Sequence, residues 1–328
     1  MVMYHGDDVS LHYVYLKCTT AQASNAQASN NVQAPNNVQA LIVCIHGLFV
    51  GNLASWYSIA THLSSSHNVL LYDLRGHGRS SCPTEKYSLS DMVTDLNLLL
   101  EHLGWKQHPI ILMGHSYGAA VATHWALTYP QWTQALVLLD MPFPLSHLPH
   151  QWTYTASQTD QALAIKSPDH GPNIEVLSRE ASHTEGMSTE TLSTDPLDQL
   201  WQQLPEVIQA VLQHSPRKAK RLLTRWFLLI DQSTLLHDLS TENTLLESDF
   251  THLKCPLLTV FGTQSDCFQV QSMLRQHIPY ACHHSIDQAG HFLLNEAPHQ
   301  VQTLIQDFIS HINKGRSCTK DQVQSSKK

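Results

Sequence analysis

The stretch MGHSYGAA, residues 113–120, decides the fold. It follows Ile110-Ile111-Leu112, a run of strand formers, and leads into VATHWALTYP, which reads as a helix. Gly114-His115-Ser116-Tyr117-Gly118 therefore places a serine on a tight turn between strand and helix. The flanking glycines carry no side chain to clash with a strained residue between them. Such a turn lifts the serine Oγ above the C-terminal edge of a sheet. It also aims the N-terminus of the helix at any oxygen that becomes negative there.

Working outward, ALIVCIHG (40–47), HNVLLYDLRGHGRS (67–80) and QALVLLD (134–140) each contain a continuous apolar run. Runs of that kind belong to strands buried on both faces of a parallel sheet. VSLHYVYL (9–16) alternates and reads as a further strand. Between them, SLSDMVTDLNLLLEHLG (88–104) is an amphipathic helix, with Ser88 as N-cap, Asp91 in the first turn and Gly104 at its end. Strand and helix in alternation define an α/β fold with right-handed crossovers.

After Asp140 the pattern breaks. Residues 141–250 hold helix candidates at 196–213 and 216–239 and no buried strand, and are read as an inserted helical cap. The α/β pattern resumes with PLLTVFG (256–262), a short helix near 269–277, CHHSID (282–287) and the helix APHQVQTLIQDFISHIN (297–313). The core is thus expected over 1–140 and 251–313. Residues 20–40 repeat Ala, Gln, Ser and Asn and read as a low-complexity loop, and 314–328 as a disordered polar tail.

Composition narrows the class. The 328 residues are 42% hydrophobic and 14% charged with a formal net charge of −8, which speaks against a nucleic-acid partner. The 7 cysteines are odd in number and form no C-x-x-C pair, so a disulfide framework or structural zinc site is not expected and a reducing compartment is. MVMYHGDDVS lacks the features of a signal peptide, and no apolar run approaches a membrane span. A cytoplasmic location is the expectation.

A serine hydroxyl needs a base to become a nucleophile. His291, in DQAGHFLLNEAP, follows the last strand and so falls at the same sheet edge as Ser116. The base needs an acid to fix its tautomer. Asp266, in FGTQSDCF, is the preferred candidate, and Asp140, in LVLLDMPF, is the alternative. Donors for an oxyanion would be the backbone N–H of Tyr117 and that of Leu48, with Phe49 its neighbour, on the loop His46-Gly47-Leu48-Phe49. His283 and His284 beside Cys282 do not make a metal site, because neighbours on a strand point to opposite faces. No metal or organic cofactor is implied.

Together, HGLFVGNLASW, YDLRGHGRS, GHSYGAA, LVLLD and AGHFLLNEAP resemble the α/β-hydrolase superfamily, closest to small esterases with an H-G-L-F oxyanion loop. The resemblance implies a mostly parallel sheet flanked by helices, and acyl transfer to water through a serine acyl-enzyme. In esterases of this type the acid often stands at the position of Asp140, with a serine near that of Ser265; in other branches a Ser-Asp pair like Ser265-Asp266 carries it. Family members that open epoxides or remove halides use an Asp nucleophile, and Ser116 argues against both. The expected activity is hydrolysis of a small or medium acyl ester. A thioesterase, lactonase, lyase or perhydrolase on the same triad, or a non-catalytic ligand-binding protein, are the alternatives. Trp201, Leu204, Leu222, Leu223, Trp226 and Phe227 would pack the cap or, alternatively, line an acyl pocket, and Arg217, Lys218, Lys220, Arg221 and Arg225 form a basic cluster read first as a solvated helix face and alternatively as a docking surface for an acidic acyl carrier protein.

Overall fold

The computed structural model describes residues 2–19, 39–48, 51–145, 215–241 and 245–314, together with Gln209 and Gln213. Eight strands form one sheet: β1 (Val2–His5), β2 (Ser10–Leu16), β3 (Leu41–Ile45), β4 (Val69–Tyr72), β5 (Ile110–His115), β6 (Thr133–Leu139), β7 (Leu257–Gly262) and β8 (Cys282–Ile286). Their order is β1-β2-β4-β3-β5-β6-β7-β8. β1 pairs antiparallel with β2, and β2 with β4; every other pairing is parallel.

The apolar runs fill both faces of this sheet. In β3, Leu41, Val43 and Ile45 face one core, and Ile42 and Cys44 the other. β5 divides in the same way, with Ile110 and Leu112 on the first face and Ile111 and Met113 on the second. The first face is covered by α2 (Leu89–His102) and α3 (Tyr117–Thr128), and the second by α1 (Tyr57–Leu63) and a C-terminal helix, Pro298–Asn313. That last helix buries Val301, Ile305, Phe308 and Ile309, each worth about 1.5–3 kcal/mol of transfer free energy. α2 begins as its sequence predicts: Ser88 and Asp91 form a reciprocal capping box.

The loop after β4 is tied down from two sides. Arg75 donates a two-pronged bond to Asp95 of α2, at 2.7 and 2.6 Å, with both side chains buried. From α4 (Pro216–Asp231), Arg225 donates to the Gly76 carbonyl at 3.2 Å and to that of Ser80. The basic cluster is thereby divided, because Arg225 turns in to the core while Arg217, Lys218, Lys220 and Arg221 stay exposed. Leu223 and Trp226 are buried, with Leu222 and Phe227 packed beside them.

Three expectations change. β1, four partly exposed residues at the sheet edge, has no clear alternation and was not predicted. The single helix expected over 216–239 is two, α4 and α5 (Leu235–Thr241). The Thr234 amide leaves the helical ladder to donate to the Thr84 carbonyl at 2.8 Å, and the Ser233 hydroxyl turns back to Leu229. Third, Cys282 is disulfide-bonded, although Cys44, Cys82, Cys255 and Cys267 carry free thiols. Most of the segment 141–250, including Trp201 and Leu204, and most of 20–40 and 314–328 lie outside the described residues. Among the described residues no helix is long and apolar enough to cross a membrane.

Candidate active site

Ser116 sits between β5 and α3 with φ 55° and ψ −127°, in the left-handed half of backbone space. Its N–H donates to the Leu139 carbonyl at 2.9 Å, which fastens the turn to β6. Gly118 makes the turn possible: a Cβ there would lie 2.4 Å from the carbonyl oxygen of Ile45. The loop after β3 is equally close, since a Cβ on Gly47 would stand 2.9 Å from Ser116 Cβ. The next residue, Leu48, is buried beside it, and Phe49 lies outside the described residues. His46 holds this loop with both ring nitrogens: Nδ1 bonds the Gly47 carbonyl at 2.6 Å, and Nε2 accepts the Leu74 N–H at 3.0 Å.

His291 stands against Ser116. Its Nε2 lies 2.9 Å from Ser116 Oγ. The loop carrying it follows β8 and is gripped at each side. Glu296 accepts the Gly290 and Phe292 amides at 2.5 and 3.1 Å. His115 Nε2 donates to the His291 carbonyl at 2.7 Å.

The acid position corrects the sequence reading. The carboxylate against His291 Nδ1 is that of Asp140, at 2.6 Å, in place of the preferred Asp266. Asp140 directly follows β6, is fully buried and has φ 46°. The Gly262 amide donates to its Oδ1 at 3.0 Å, and the Ser265 hydroxyl donates to its Oδ2. In the loop after β7, Ser265 turns inward and Asp266 outward to solvent. The Gly262 donor, the His115 tether and the nearby Cys267 are the residues that sequence reasoning did not place in the site, while Ser265 was indicated by the resemblance alone. The serine of the Ser265-Asp266 pair was the available signal.

Electrostatics follows from these contacts. Burial pulls the His291 pKa down, but the hydrogen bonds of Asp140 and then Cys267 more than offset it, and the net shift is upward. His115 moves the other way, to about 4, through burial and then the neighbouring His291. The His283-His284 pair is structural on one side: His283 bonds Thr259 Oγ1 at 2.8 Å and the Ile278 carbonyl at 3.1 Å.

A serine on a strained turn, a histidine bound to it and a buried carboxylate behind the histidine stand together on the C-terminal edge of a mostly parallel sheet. The signature of the alpha/beta hydrolase fold spans residues 40–298, and the chain belongs to that family. Among named relatives, it is 31% identical to epoxide hydrolase 4 of Mus musculus over 106 residues, 32% of this chain and 29% of that protein. It is 37% identical to lipase LipV of Mycobacterium tuberculosis over 101 residues, 31% of this chain and 37% of that one. These matches therefore span less than two fifths of the relatives' length. The enol-lactonase of Burkholderia xenovorans LB400 superposes with a TM-score of 0.63 at 16% identity, covering 94% of this chain and all of the other, a likeness of fold.

Proposed function

We propose that this protein is a serine hydrolase that cleaves a carboxylic ester of a small or medium acyl substrate. Ser116 Oγ attacks the ester carbonyl and His291 Nε2 takes its proton. The imidazolium then gives that proton to the leaving alcohol, and water attacks the acyl-enzyme by the same route. Asp140 holds the histidine tautomer, and the Leu48 and Tyr117 amides stabilise the oxyanion. The observation that carries this reading is the continuous relay from Ser116 through His291 to Asp140, at 2.9 and 2.6 Å. Ser116 stands where an epoxide-opening relative would need a carboxylate, so ester chemistry fits better than epoxide chemistry.

The test is hydrolysis of p-nitrophenyl esters from acetate to decanoate by wild type and Ser116→Ala. Wild type should turn over the series with a chain-length optimum, and Ser116→Ala should lose at least about 10³-fold in kcat. A fluorophosphonate probe should label only the wild type. Equal rates in the two proteins would overturn the assignment of the nucleophile.

A further inference from the structure

The Asp140–His291 pair has a neighbour that ester hydrolysis does not use. Cys267 Sγ stands 3.8 Å from His291 Nδ1, the same nitrogen that meets Asp140 Oδ2 at 2.6 Å. One ligand atom from each of the three residues lies within 4.8 Å of the other two, and this is the only such group among the described residues. The backbone that carries the thiol is anchored from behind: the Cys267 amide donates to Ser265 Oγ at 3.1 Å, and that hydroxyl in turn bonds Asp140. The trio is also reachable. The His291 side chain is 29% exposed and Cys267 is partly exposed, so only Asp140 is sealed from solvent.

We propose that Asp140, Cys267 and His291 form an inhibitory site for a thiophilic divalent cation of the zinc(II) type, which switches off the hydrolysis proposed above by capturing its histidine. Zinc binds sulfur at about 2.3 Å, and imidazole nitrogen and carboxylate oxygen at about 2.0–2.2 Å, in tetrahedral geometry. Ligand atoms then sit roughly 3.3–3.6 Å apart. The Sγ–Nδ1 spacing is already near that value, and the carboxylate need move from Nδ1 by only roughly 0.7 Å. Water on the exposed side completes the four ligands. The thiol releases its proton to solvent. The ring proton shifts from Nδ1, now bound to the metal, to Nε2. A protonated Nε2 has no lone pair to accept the Ser116 proton, so hydrolysis stops. The thiolate selects soft cations, and the set of three is too few and too soft for magnesium or calcium.

This inference rests on the triad reading, so its test has one arm that needs no turnover. In the first arm, zinc chloride is titrated into the ester assay with wild type, Cys267→Ala and Cys267→Ser, inhibition being expressed against each protein's own rate. Wild type should be inhibited and restored by EDTA, magnesium should have no effect, and both variants should need at least about tenfold more zinc. In the second arm, cobalt(II) is added without substrate. A thiolate-to-cobalt charge-transfer band in the near ultraviolet should appear in wild type and be missing from both variants. The band without hydrolysis would support the site and overturn the ester reading. Hydrolysis with the same zinc sensitivity in all three proteins would overturn the site and leave the ester reading standing.

Discussion

Ser116 and Asp140 share a backbone signature, with φ 55° and 46° at the ends of the adjacent strands β5 and β6. A non-glycine residue held there costs about 1–3 kcal/mol and persists only where its surroundings fix it. Here the next strand does so each time: the Ser116 amide is held by Leu139 of β6, and the Asp140 amide by Val260 of β7 at 2.8 Å. The strain turns both side chains over the sheet edge to either side of one imidazole. Asp140→Asn should therefore lower kcat/KM by about 10³–10⁴-fold, while Asp266→Asn, altering an exposed residue, should change it by less than about threefold. The pH profile gives an independent reading. In the proposed mechanism His291 works as base only when neutral, and its pKa is raised, so wild-type kcat/KM should climb with pH through the alkaline range. Removing the Asp140 charge takes away the main influence that holds the proton, and the midpoint should move to lower pH. Coincident midpoints in wild type and Asp140→Asn would show that Asp140 is not the partner.

At the scale of elements, sequence pattern reached far where a residue's role depends on periodicity alone. β3, β5, β6 and β7 are legible because strands buried on both faces must be apolar throughout, and α2 because its cap is spelled in Ser88 and Asp91. The carboxylate that meets His291 was not legible, because Asp140 and Asp266 both follow strands at the correct edge. Which one meets His291 depends on whether position 265 or 266 turns inward, a single-residue question that periodicity does not answer. The break after α4 was hidden for a similar reason: it comes from the Thr234 amide choosing Thr84, a contact between distant segments. Arg225 is another such contact. Read as part of a basic surface, it instead bridges α4 to two carbonyls of the loop after β4. Hydrogen bonds from a charged group are each worth about 1.5–3 kcal/mol, so Arg225→Gln should loosen this junction by about that much. Native-state hydrogen exchange should then speed up by at least about tenfold in residues 217–231 and 76–81, with the C-terminal helix Pro298–Asn313 unaffected. Unchanged protection in α4 would mean that apolar packing by Leu223 and Trp226 holds it alone.

For the whole molecule, the buried histidines set how stability depends on pH. Burial, followed by the neighbouring His46, lowers His77 to about 3; burial and then His291 lower His115 to about 4; His46 is lowered chiefly by burial. All three are neutral in the folded protein near neutral pH, whereas in the unfolded chain each takes a proton near pH 6.5. The stability they contribute is therefore present above about 6.5 and is lost as pH falls from there through their folded values. Each costs about 1.4 kcal/mol per pH unit over that interval, so His77 and His115 together account for at most roughly 4 kcal/mol between pH 6.5 and 5. His291 acts with the opposite sign. Its folded pKa is raised, so its contribution is complete below about 6.5 and drains away as pH rises into the alkaline range. Opposed slopes on the two sides place maximal stability near neutrality. Thermal unfolding between pH 5 and 9 should show a Tm that peaks between about 6 and 7, with the acid side the steeper because more groups act there. His77→Gln should flatten the acid limb while leaving the alkaline limb unchanged, and a Tm that stays level from pH 7 to 5 would rule out buried neutral histidines as the source of the pH dependence.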